Sequence, residues 1–191
     1  MQYIENQTFD KKIFDGVIEQ VEFAECRFIG CKFLQTKLTT CKFLDCEFIN
    51  CDFISPVFSE CTMRGATING GHFLGISWAD LKPKMGTIAP FTSLQNTNLK
   101  LCSFSDITLK NCNFSKNSWI SCYFYHCDFS KSSFAENDFN QSEFEKCNLS
   151  EANFKTAKNF IINPQSNRVD KAQFSFGGAL GLLQSFGIII E

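Results

Sequence analysis

The stretch CKFLDCEFINCDF, residues 41–53, repeats every five residues: Cys41, Cys46 and Cys51 step by five, and so do Phe43, Phe48 and Phe53. An amphipathic helix repeats every 3.6 residues and a half-buried strand every two, so neither produces this beat. The chain must therefore bend at a fixed short interval. From Ile13 to Trp78 every fifth residue is large and apolar, fourteen times in succession, and a second run from Leu94 to Phe154 adds thirteen. These residues are termed centres.

All eleven cysteines lie two residues before a centre. The other occupants of that slot are mostly small, among them Gly16, Thr36, Ala66, Gly71, Ser132, Ser142 and Ala152. The slot is sterically tight, and free cysteine fills it as a small hydrophobe. Structural zinc sites need close Cys pairs, usually with histidine. Here the closest spacing is C-x4-C, with serine, alanine or glycine exchanged freely, so the thiols read as packing. With two inward and three outward positions per unit, the chain forms an all-β solenoid. Its coils stack at about 4.8 Å and bury a continuous apolar column.

The units CDFSK (127–131), CNLSE (147–151) and ANFKT (152–156) resemble the pentapeptide-repeat family. That resemblance implies a right-handed quadrilateral β-helix with four units per coil. On this basis residues 1–12 are expected to cap the fold and 13–173 to form the β-helix, interrupted by a loop at 79–91. Residues 174–191 are expected to form a dimerisation helix and tail. In the tail, Ser175 fits a helix N-cap and Gly187 a stop. The ending, INPQSNRVD followed by ALGLL and an apolar terminus, resembles the Qnr, MfpA and McbG branch, with size and layout nearest to McbG. Members of that branch are homodimers that bind DNA gyrase and topoisomerase IV and protect them from quinolones or a toxin. The resemblance thus implies a homodimer through Phe176, Leu180, Leu183, Phe186, Ile188 and Ile190, with a topoisomerase as partner.

Catalytic signals are weak. His72 and His126 fall at outward positions without a nucleophile at triad spacing, and no phosphate-binding glycine motif occurs. No cofactor or metal is expected. The N-terminus lacks an apolar signal core and no run is long enough for a membrane span. A reducing cytoplasmic setting is the default for so many thiols.

Candidate contact residues fall in three groups. The 79–91 interruption carries Lys82, Pro83, Lys84 and Met85, and reads either as a projecting partner loop or as a plain bulge. Residues 128–151 hold Asp128, Glu136, Asp138, Glu143, Glu145 and Glu151 against Lys131 and Lys146, a net −4 (six acids, two lysines). Bulk imitation of DNA is excluded by magnitude. A dimeric rod of about 72 Å would match a duplex with ~42 phosphates, against −4 for two chains of −2 each. The mild acidity also speaks against direct nucleic-acid binding, so any mimicry is local. Finally, Phe14, Leu34, Ile54 and Leu74 recur at twenty-residue steps and form an outward apolar stripe. Its cover is either the N-terminal Tyr3, Ile4 and Phe9 or a partner protein. The alternative to a topoisomerase role is a protein-interaction scaffold.

Overall fold

The computed structural model describes residues 1–81, 89–184 and 186. It is a right-handed quadrilateral β-helix of about eight turns. The first coil consists of β1 (Gln2–Glu5), β2 (Thr8–Asp10), β3 (Ile13–Phe14) and β4 (Val17–Glu19). Each pairs in parallel with the coil above, placing Ile4 on Phe23, Phe9 on Phe28, Phe14 on Phe33 and Ile18 on Leu38. These define the first to fourth faces. The N-terminal residues expected as a separate cap are thus the first coil itself.

This coil corrects the register at its start. Phe14 is 7% exposed and stacks on Phe33, whereas Ile13, taken as a centre, is 56% exposed. Ile4, Phe9 and Phe14 each lie nineteen residues before their partners; Ile18 lies twenty before Leu38. The side between Phe14 and Ile18 is one residue short, so a strict five-residue count started from Ile18 slips there.

Inside, the centres stack ring on ring. Phe33 and Phe53 lie 4.3 Å apart at 7°, and Phe124 and Phe144 4.4 Å apart at 12°. Neighbouring faces meet edge-on, as Phe48 and Phe53 do at 68°. Both arrangements suit the quadrupole of the ring. Two indoles join the columns, Trp78 over Phe104 and Trp119 over Phe139. Among the described residues neither indole N–H has a hydrogen-bond partner.

Most of the described corners are turned by a residue in the left-handed region, such as Gln35 (φ 50°), Thr40 (φ 54°) and Asp45 (φ 52°). That conformation costs a non-glycine residue about 1 kcal/mol or more. It persists because the corner N–H is tied to the next coil. Gln35 donates to the Ile54 carbonyl at 2.9 Å and Thr40 to Ser59 at 2.8 Å.

The tight slot is both packed and hydrogen-bonded. All eleven cysteines are free and buried. Each thiol donates to the carbonyl of an inward-facing residue one coil below, as from Cys51 to Phe28 at 3.2 Å and Cys46 to Phe23 at 3.4 Å. The hydroxyls of Ser132 and Ser142 do the same to Leu109 and Trp119 at 2.7 and 3.0 Å. Asn117, Asn137 and Asn167 also occupy this slot, which sequence reasoning missed. Asn117 Nδ2 donates to Leu94 O at 2.8 Å, while its Oδ1 accepts from the Thr97 N–H at 2.9 Å. The amide thus satisfies a carbonyl and an N–H of the coil below at once, as the Cys61 thiol does with Leu38 O and the Cys41 N–H.

At mid-chain the step lengthens. Phe73 pairs with Leu99 and Ile68 with Leu94, twenty-six residues apart. The chain leaves through a 3-10 turn, Trp78–Leu81, whose Trp78 and Leu81 are buried, and is back in the core at Phe91. Lys82, Pro83, Lys84 and Met85 lie outside the described residues. At the far end, helix α1 (Phe176–Gln184) begins where the Gly178 N–H donates to Ser175 Oγ at 3.1 Å, the expected N-cap. Phe160 and Phe174 pack on Phe154 beneath it.

Candidate partner-binding surface

A rod whose interior is filled by its own side chains offers only its outside for contacts. The acidic residues of 128–151 are spread around that outside rather than gathered. Asp128 stands on the first face, Asp138 on the third, Glu143 and Glu145 on the fourth, and Glu136 and Glu151 at corners. Most are engaged. Asp128 meets Lys110 at 3.1 Å, Glu136 meets Lys116 at 4.0 Å and Glu151 meets Lys131 at 3.9 Å. Asp138 accepts from Asn159 at 2.8 Å. Burial alone would raise the Asp128 carboxyl, but hydrogen bonds from Ser130 and Lys110 outweigh it and hold the group low. Glu143 is exposed. The net charge of the segment is therefore distributed as ion pairs rather than as a bare anionic field.

The apolar stripe survives with one correction. Phe14 points into the core, so the column runs Leu34, Ile54, Leu74, then Lys100 and Ile120 up the third face. Leu34 is 37% exposed, and a shallow groove of about 390 Å³ opens between Ile54, Leu74, Lys100 and Ile120. The N-terminus does not cover it: Ile4 and Phe9 are packed against the core of the first coil, and Tyr3 is exposed on the first face.

A second surface, not foreseen, surrounds Phe124 on the fourth face. Tyr123 and Tyr125 flank that centre with ring centroids 6.2 Å apart. Tyr123 donates its phenol to Glu145 at 2.5 Å, which pushes its pKa up to about 12. Lys146 donates to the Tyr125 hydroxyl at 3.1 Å and sits 5.0 Å from its ring centroid. At the adjoining corner His126 Nδ1 lies 2.7 Å from Asp106. A groove of about 330 Å³ runs beside them, lined by Asp106, Thr108, His126, Asp128, Lys146 and Asn148. The signal was present in the sequence: Asp106, His126 and Lys146 are twenty apart, and two of the three tyrosines bracket one centre.

Of the tail residues, Phe176 is 84% exposed, with Leu183 and Phe186 also exposed and Leu180 half-buried. Ile188 and Ile190 lie outside the described residues.

The family profile described as a pentapeptide repeat region matches residues 21–90, and that for pentapeptide repeats, in 8 copies, matches residues 120–157. The chain belongs to the pentapeptide-repeat family. Among solved structures, this pentapeptide-repeat protein is similar to trypsin-treated QnrB1, a plasmid-mediated fluoroquinolone resistance protein. The identity is 21%, with 100% of this chain and 99% of that chain covered, at a TM-score of 0.57. It is also similar to HetL, involved in heterocyst differentiation regulation in the cyanobacterium Nostoc, at 12% identity over 91% and 87% of the chains and a TM-score of 0.54. No curated protein matches its sequence significantly.

Both histidines sit one coil above an aspartate, His72 on Asp52 at 2.9 Å and His126 on Asp106. The thiol beside His126, that of Cys127, turns inward to the Phe104 carbonyl at 3.3 Å. Among the described residues no three His, Cys, Asp or Glu side chains are placed to hold a metal ion, and no helix is long and apolar enough to cross a membrane.

Proposed function

We propose that this protein binds a type II topoisomerase, DNA gyrase or topoisomerase IV, in the cytoplasm and shields it from a quinolone or a gyrase-poisoning toxin. It does so as a homodimeric, non-catalytic rod. The observation that carries this reading is the end-to-end likeness to a fluoroquinolone resistance protein, which covers 100% of this chain and 99% of that chain. The exposed Phe176 and Leu183 on that helix support pairing of two rods there. With the acids largely paired, contact rests on local recognition by the stripe and the tyrosine surface rather than on bulk imitation of DNA charge.

The test is gyrase supercoiling in the presence of a fluoroquinolone or the peptide toxin, with and without this protein. Restored supercoiling is expected at stoichiometric amounts. Unaltered inhibition at a tenfold excess, with no co-migration of the two proteins, would refute it. The similarity to HetL favours a second reading, a regulatory scaffold for another protein, and that result would leave it standing.

A further inference from the structure

Tyr123 and Tyr125 are two of only three tyrosines in the chain. Their rings stand side by side on the fourth face, with centroids 6.2 Å apart and planes within 17° of parallel. One coil above, the register places Glu143 over Tyr123 and Glu145 over Tyr125; one coil below stand the small Ser103 and Ser105. The Tyr123 phenol orients Glu145, whose other oxygen lies 3.9 Å from Lys146. Glu143 is exposed and has no hydrogen-bond or ion-pair partner among the described residues. We propose that this surface is an arginine-binding site. The guanidinium of a partner protein's arginine enters between the two rings and donates to the carboxylates of Glu143 and Glu145.

Shape and charge together select the occupant. A flat group between two rings needs about 3.5 Å on each side, roughly 7 Å in all, so the rings have to part by only about 1 Å. Aromatic faces attract cations, and one of these rings holds a cation already. Lys146 reaches Tyr125 from the adjoining corner, with Nζ 5.0 Å from the ring centroid and 3.1 Å from the hydroxyl. A guanidinium is planar, permanently charged and weakly hydrated, and its five donors form a fixed fork; an ammonium is compact and holds its water. With its plane along the rings, the fork points up the face to the two carboxylates, where charge-assisted hydrogen bonds are strong. A nucleobase is also flat, but its phosphate is repelled here. Asp106, Glu143 and Glu145 stand against the one Lys146.

The inference deepens the reading of the fourth face as a contact surface, and its test uses no topoisomerase, so the two can fail separately. With isotope-labelled tyrosine rings, the magnetic resonance spectrum holds signals from Tyr3, Tyr123 and Tyr125 alone. Tyr3, on the first face of the first coil, is the internal reference. The full chain is titrated with N-acetyl-arginine amide, with its lysine and citrulline counterparts, and with a short oligothymidylate. Arginine should shift the Tyr123 and Tyr125 signals saturably and leave Tyr3 in place. Lysine keeps the charge without the plane and citrulline the plane without the charge, so each should bind at least tenfold more weakly. Glu143→Gln should weaken arginine binding at least threefold, and Glu136→Gln, which removes an exposed carboxylate at another corner, should not. The inference falls if Tyr3 shifts equally, if lysine or citrulline matches arginine, or if Glu136→Gln weakens binding as much as Glu143→Gln. Tighter binding of the oligothymidylate would overturn it in favour of a nucleic-acid platform.

Discussion

Gly71 has φ of +98°, and a Cβ placed there would lie 1.9 Å from the Cys51 carbonyl oxygen. Gly71→Ala should therefore cost about 3 kcal/mol or more. Gly16→Ala, with φ of +78° but open space around it, should cost only about 1 kcal/mol. Denaturant midpoints measure both. The sequence shows glycine, alanine, serine and cysteine sharing one slot, but not which glycine is obligatory, because that depends on a carbonyl one coil away. Trp119→Phe offers a second check. It removes an indole N–H buried without a partner, a penalty of about 1–3 kcal/mol, but opens a void in the ring column of comparable cost. The melting temperature should stay within a few degrees. Thiol reactivity belongs here too. Burial pushes Cys46, Cys51 and Cys112 up to about 12, so thiolate is scarce at neutral pH. Labelling of native protein at pH 7 should be far slower than of unfolded chains, and a rapid reaction of most thiols would contradict the slot.

Inward positions were legible at the level of elements because every coil imposes the same steric demand on them. Outward positions carry no such demand, so the five-residue beat is silent there. The stripe from Leu34 to Leu74 was read by counting in twenties; its false start at Phe14 came from a side of the first coil that is one residue short. The surface around Tyr123 and Tyr125 escaped because that count stopped before the second half. These surfaces have separate tests. Leu34→Ser with Ile54→Ser should leave stability within about 2 kcal/mol, since Leu34 is exposed and Ile54 only half-buried, while weakening topoisomerase protection at least tenfold if the third face is the contact. Tyr123→Ala with Tyr125→Ala should do the same for the fourth face. Full protection by one pair of variants and loss by the other identifies the contacting face; full protection by both would remove each from the interface.

At the scale of the molecule, if two rods pair through the terminal helix as proposed, Phe176→Asp with Leu183→Asp should give a monomer in sedimentation without changing the β-rich circular dichroism. A dimer that persists would place the pairing surface elsewhere. The parallel ladders also fix how such a rod responds to force. Its backbone hydrogen bonds, like those from Gln35 to Ile54 and from Glu25 to Leu44, point along the axis rather than across it. Tension between the termini therefore loads the coils in series, and the bonds of the end coil meet the whole force a few at a time. The rod should peel like a zipper at low force instead of shearing at high force. Each peeled coil of some twenty residues would release roughly 65–70 Å of chain. A pulling trace should show a ladder of small, evenly spaced steps, broken once by a longer step where twenty-six residues separate Phe73 from Leu99.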